Sequence, residues 1–212
     1  MSNKDNREEK ISSEEIFKGK ILDVYLDKVK LPNGNESTRE VVRHCKASAV
    51  LAFDIKGDVI IEEQFRYPYD DTIIEIPAGK CDKGEKPIDA AIRELKEETG
   101  YSAKYIELLG TFYPSVAYTD EIIYLYLATG LTKGEQHLDK DETLEYKKVS
   151  FKKLLNMIDQ GKIQDGKTLA AVTYYLIKHK KIKSRGHLSL FSNLINKDKY
   201  DVENTKIEKE KK

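Results

Sequence analysis

From Gly19 to Leu31 the chain reads "GKILDVYLDKVKL", in which apolar and polar positions alternate and Ile21, Val24, Leu26 and Val29 carry most of the apolar side. That period of two is the signature of a half-covered strand. "PNGNES" supplies turn residues and "TREVVRH" resumes an extended run, so a small antiparallel sheet or hairpin is predicted ahead of a main domain. Residues 1–13 are polar and are expected to be flexible. "ASAVLAFDIKGDVIIEEQFRY", residues 47–67, predicts a stronger hairpin, two apolar runs about Asp54–Asp58 with Gly57 at the turn. "DTIIEIPAG" predicts a short strand stopped by Pro77 and Gly79.

The period then changes. After Pro87, which suits a helix's first turn, Ile88, Ala91, Ile92 and Leu95 recur at helical spacing, and Gly100 is the expected stop. This apolar stripe predicts the face that packs on a sheet. "YIELLGTFY" and "DEIIYLYLATGL" read as strands, "KGEQHLDKDETLE" as a polar loop and "YKKVSF" as a last strand. Two helices follow, one capped by Ser150 and stopped at Gly161, the other starting near Asp165. Strands around one central helix, then terminal helices, predict an α+β fold with a mixed sheet between helices. The expected organisation is a flexible N-terminus (1–13), a β extension (14–45), a main domain (46–182) and a polar, lysine-rich tail (183–212).

Charge narrows the function classes. Lys+Arg and Asp+Glu each number 37 in 212 residues, for zero formal net charge. A nucleic-acid or headgroup-binding surface normally carries a basic excess, so neither partner is expected. No apolar run approaches the roughly 20 residues that cross a bilayer. Cys45 and Cys81 form no CxxC pair, and the four histidines are scattered, which argues against zinc. A soluble, cytoplasmic protein is expected.

The helix after Pro87 carries "RELKEE". Glu94, Glu97 and Glu98 converge on one edge of a helix, where like charges repel unless a cation lies between them. All-oxygen ligands suit Mg²⁺ or Mn²⁺. The competing reading is a solvated acidic face neutralised by Arg93 and Lys96. The surrounding spacing favours the first: Gly79, five residues, Glu85, seven residues, Arg93-Glu94-Leu95, one residue, Glu97-Glu98, one residue, Gly100-Tyr101.

Every fixed position of that pattern resembles the Nudix box, Gx5Ex7REUxEExGU with U a bulky apolar residue, on the loop-helix-loop of the Nudix hydrolase fold. The resemblance implies metal-dependent hydrolysis of a nucleoside diphosphate linked to another moiety. It also implies that Glu94 and Glu98 bind metal, with Glu97 as a further ligand or catalytic carboxylate, and with the Ala78 carbonyl as a backbone ligand. Glu85 and Arg93 would pair to hold loop to helix, with Gly79 and Gly100 as the box's structural glycines.

From about Ser12 to about Leu176 the chain is similar to the ADP-ribose pyrophosphatase branch, in "REVVRH", "EEQFRYPYDDTIIEIPAGK" and "LGTFYPSVAYTDEIIYLYLA" among other segments. That similarity implies a homodimer exchanging N-terminal strands, Arg66 near the diphosphate or ribose, and Glu75 in the substrate pocket. The general base is expected from "HLDKDETLEY", with Glu142 first and Glu145 second. The implied reaction splits ADP-ribose into AMP and ribose 5-phosphate. "YPSVAYTDE" departs from the branch, because Val116-Ala117 stands where a Pro-Gly pair is usual, so other nucleoside diphosphate sugars gain weight as substrates. A non-catalytic nucleotide-sensing module is the remaining alternative, and the retained box carboxylates argue against it.

Overall fold

A computed structural model describes residues 6–138 and 143–179, so Glu142 and the tail 183–212 lie outside the described residues. The strands are β1 (Glu9–Lys18), β2 (Asp23–Lys30), β3 (Glu36–Arg43), β4 (Ala47–Ala52), β5 (Asp58–Arg66), β6 (Asp71–Glu75) and β7 (Ala78–Lys80). Then come α1 (Pro87–Thr99), β8 (Tyr101–Phe112), β9 (Ile123–Lys133), β10 (Leu144–Ser150), α2 (Phe151–Asp159) and α3 (Gly166–His179). The described strands form three sheets, ordered β1-β2-β3, β10-β5-β6 and β7-β4-β9-β8. The four-stranded sheet is mixed, since β4 runs parallel to β9 and antiparallel to β7. The fold is α+β, as expected from the sequence.

β4 organises the core. All six of its residues are buried, which suits the run "ASAVLA", apolar but for Ser48, whose hydroxyl donates to Pro87 O at 2.6 Å. Successive side chains of a strand point to opposite faces, so the run feeds two cores. Ala49 and Leu51 join Val59, Ile61, Leu125, Leu154 and Val172 on one side, while Val50 and Ala52 join Ile60, Ala91, Leu95 and Tyr126 on the other. Helices α2 and α3 close the first core and α1 closes the second.

The structure departs from the sequence expectation at three places. Residues 47–67 are not a regular hairpin: β4 and β5 lie in different sheets and meet at one bridge, Phe53 to Val59. Both edges of β4 are taken, by β7 and β9, which leaves β5 to pair with β6 and β10. The expected turn is present, with Gly57 at φ 82° and Asp54 Oδ1 accepting from the Lys56 and Asp58 N–H groups at 2.9 and 3.0 Å. Secondly, β1 begins at Glu9, inside the segment expected to be flexible. It is a fully exposed strand held by its ladder to β2, so no apolar alternation announces it.

The third departure concerns α1. Its buried residues are Ala90, Ala91, Glu94, Leu95, Glu98 and Thr99, whereas Ile88 and Ile92 are 38% and 46% exposed. The packed face is thus rotated away from the expected stripe, and it carries two glutamates into the protein. Replacing Leu95 by Ala should cost about 2–5 kcal/mol of stability, and Ile92→Ala less than about 1 kcal/mol, in urea unfolding followed by circular dichroism.

Candidate active site on the first helix

Burying two carboxylates side by side requires local compensation. β7 supplies part of it. The Ala78 N–H donates to Glu98 Oε2 at 2.9 Å, and the Glu94 carboxylate lies against Gly79, where a Cβ would overlap it. Gly79 is needed for space rather than for its backbone angle, because it is absent from the positive-φ glycines. At the other end of α1, Gly100 at φ 74° ends the helix and its N–H closes onto Lys96 O at 2.8 Å.

Arg93 ties the loop to the helix. Its Nε and Nη2 donate to the two oxygens of Glu85 at 3.0 Å each, and Nη2 also reaches Lys80 O at 3.0 Å. The hydrogen bonds from Arg93 hold the Glu85 carboxyl below the usual carboxylate range. Nη1 donates to Glu94 at 2.7 Å and to Glu97 at 3.0 Å, so the expected Glu85–Arg93 pair also gathers two of the helix acids.

These groups open into a cavity of about 590 Å³ lined by Arg66, Ala78, Gly79, Glu94, Glu97, Glu98 and Lys167. A smaller cleft of about 240 Å³ adjoins it, lined by Tyr69, Glu75 and Asp165 among others, and Arg66 and Lys167 line both. Arg66 grips Glu75 with two hydrogen bonds, at 2.5 and 2.8 Å. Lys167 pairs with Glu75 and, at 3.0 Å, with Asp165. Burial draws the Glu75 carboxyl upward, but Arg66 and Lys167 outweigh it and leave Glu75 below its ordinary value. Lys167 is set there by the start of α3: Asp165 Oδ2 accepts from the Thr168 N–H at 2.9 Å, and Thr168 Oγ1 accepts from the Ile76 N–H at 3.0 Å.

The structure thereby brings Ala78, Gly79, Glu85, Arg93, Glu94, Glu97 and Glu98 together, with Arg66 and Glu75 alongside. Glu145 stands apart: it is exposed on β10, opposite Glu63, and lines neither cavity. Glu142 lies outside the described residues. The loop leading toward it is stitched to the end of α1, with the His137 N–H on Glu97 O at 2.9 Å and Gln136 Nε2 on Glu98 O at 2.5 Å.

Sequence reasoning missed Lys167 and Glu62. Lys167 follows an aspartate read only as a helix start. Glu62 continues the buried run Val59, Ile60, Ile61 and is itself 3% exposed, so its signal was an acid in phase with an apolar stretch. Burial first, and then the charge of Glu75, hold its carboxyl above the usual carboxylate range.

The donor set fits a hard divalent cation. It is all oxygen, Gly79 leaves room at Glu94, and Glu62 Oε1 is buried with no hydrogen-bond partner. The acids are not a closed cage as they stand: among the described residues no three His, Cys, Asp or Glu side chains are placed to hold a metal, and Arg93 engages Glu94 and Glu97.

Comparison with known proteins agrees with the geometry. The family described as NUDIX domain matches residues 43–172, and the nucleoside diphosphate sugar hydrolase N-terminal domain matches residues 8–42. The chain belongs to the Nudix hydrolase family and is an enzyme of that family. It is 44% identical over 173 residues to an ADP-ribose pyrophosphatase of Bacillus subtilis (strain 168), covering 81% of this chain and 94% of the relative. It is 43% identical over 179 residues to a methanol dehydrogenase activator of Bacillus methanolicus, covering 82% and 97%. A crystal structure of an ADP compounds hydrolase shares the fold, with a TM-score of 0.74 over 82% of this chain and 94% of that one at 18% identity.

Gly79→Ala should separate site from scaffold. Gly79 is held in the ladder opposite Ser48, so the flexible end of Glu94 yields before the strand does. Hydrolytic activity should fall at least about tenfold, with a stability loss below about 2 kcal/mol; kinetics and urea unfolding of the same preparation check both.

Proposed function

We propose that the chain hydrolyses the diphosphate of ADP-ribose, releasing AMP and ribose 5-phosphate, with Mg²⁺ or Mn²⁺ as cofactor. The observation that carries this reading is the placement of Glu94 and Glu98 on the buried face of α1, opening into a cavity that continues past Arg66 and Lys167. Glu94 and Glu98 hold the cation, with Glu97 and the Ala78 carbonyl as further donors. When bound, the ion supplies positive charge to the diphosphate and to the attacking water.

The remaining roles fall to the chain's own groups. Arg66 and Lys167, at the junction of the two cavities, hold the diphosphate, and Glu75 fixes both cations. A ligand with a moiety on each side of a diphosphate matches a cavity and a cleft that share these two residues. Glu142 accepts the proton of the attacking water; the exposure of Glu145 away from both cavities leaves it second. Glu85 and Arg93 keep loop and helix in register. Val116, exposed in a segment without the Pro-Gly pair, favours a second reading in which other nucleoside diphosphate sugars are also cleaved.

The chain acts as a cytoplasmic homodimer joined through the N-terminal extension. Supporting this, Ile11, Ile16, Phe17 and Ile21 are exposed on or beside β1, and no helix among the described residues is long and apolar enough to cross a membrane. Sedimentation at twice the chain mass is expected, and a monomer at micromolar concentration would exclude it.

Incubation with ADP-ribose and Mg²⁺ should yield AMP, and Glu98→Gln should lower kcat at least about 100-fold while leaving the circular dichroism spectrum unchanged. Absence of turnover on ADP-ribose, ADP-glucose, UDP-glucose and GDP-mannose alike overturns the proposal.

A further inference from the structure

Glu62 lies outside the box, on β5, yet it reaches the same buried ground from the opposite side. Its cross-strand neighbour is Glu75, and its carboxyl is in hydrogen-bonding contact with Glu98 of α1. Like charges directly opposite one another on a sheet are unfavourable, as are adjoining carboxylates in a core. Glu75 is relieved by Arg66 and Lys167, and one oxygen of Glu98 is relieved by the Ala78 N–H. Glu62 feels Lys167 and Arg66 only from a distance. Its Oε1 is buried with no hydrogen-bond partner, and among the described residues no Lys or Arg forms an ion pair with it.

A purely structural residue at this position has no need of a carboxylate. The two preceding residues, Ile60 and Ile61, are fully buried aliphatics, so the strand accepts apolar side chains on both faces here. An aliphatic residue at 62 would remove the orphaned oxygen and the contact with Glu98 together. What the acid provides is a buried oxygen donor on a carboxylate that contacts Glu98, where a cation between β5 and α1 would satisfy both groups.

We propose that Glu62 is a further carboxylate of the divalent-cation site, sharing the ion with Glu98 and binding it from β5 while Glu94 and Glu98 bind it from α1. The inference rests on the metal-dependent reading of the site, and adds to it a donor that the box spacing does not contain. Two consequences follow. The ion fastens the three-stranded sheet of β5 to the helix packed on the other sheet, so metal should stiffen the molecule as well as charge the site. Glu62 should also be a liability without metal, because its buried Oε1 then has no hydrogen-bond partner.

The test is Mn²⁺ binding, read from the electron paramagnetic resonance signal of free Mn²⁺ and from the melting temperature with and without the ion. Wild type, Glu62→Gln, Glu62→Leu and Glu98→Gln are compared. Glu62→Leu should weaken Mn²⁺ binding at least about tenfold and remove most of the Mn²⁺-induced rise in melting temperature. Without metal it should melt at or above wild type. Glu62→Gln, which keeps one oxygen donor, should lie between, and it carries the test should the leucine variant fail to fold. If both Glu62 variants bind Mn²⁺ as tightly as wild type while Glu98→Gln does not, Glu62 is a structural residue and this inference fails alone. If wild type itself binds no Mn²⁺, the metal-dependent reading fails with it.

Discussion

The site depends on one constraint: Glu94 and Glu98 enter the protein on the packed face of a helix rather than on its wet side. Carboxylates in that position need partners, and the short strand β7 is shaped to provide them. Its backbone offers an N–H to Glu98 and, at Gly79, an absence of side chain beneath Glu94. Pairing of β7 with β4 fixes that backbone, and β4 in turn is buried in two cores. Position of the acids is thus set by the most enclosed of the described strands.

Around this centre the cations are distributed unevenly. Arg93 serves the loop and the outer acids, while Arg66 and Lys167 serve Glu75 at the meeting of the two cavities. In the inner pair, Glu98 accepts from the Ala78 N–H and contacts Glu62, whose Oε1 has no hydrogen-bond partner. The charges of Arg66 and Lys167 reach Glu62 only from a distance, and burial still holds its carboxyl above the usual range. That asymmetry is what a protein awaiting both a cation and an anionic substrate requires.

Much of this was legible in the sequence for identifiable reasons. The box residues are close in sequence and lie on one loop and one helix, so spacing alone brings Glu85, Arg93, Glu94, Glu97 and Glu98 together. Gly100, Ser150 and Asp165 mark helix ends through local chemistry, and all three do so in the structure. What could not be read was which way the helix faces. Ile88 and Ile92 are apolar at helical spacing yet exposed, because the surface beneath α1 accepts Ala90, Ala91 and Leu95 and leaves room for glutamates. The 47–67 segment failed as a hairpin for a related reason, since the edges of β4 are claimed by strands distant in sequence. Lys167 lines the cavities, and Glu62 contacts Glu98, only through packing of α3 and β5, a relation that no local pattern encodes.

The most direct measurement is a crystal structure with Mn²⁺ and a non-hydrolysable ADP-ribose analogue, located by manganese anomalous scattering. The account predicts an anomalous peak within bonding distance of the Glu94 and Glu98 carboxylates, with the analogue's diphosphate beside it and against Arg66. Analogue bound with no manganese at those carboxylates, or a diphosphate seated away from them, would contradict it.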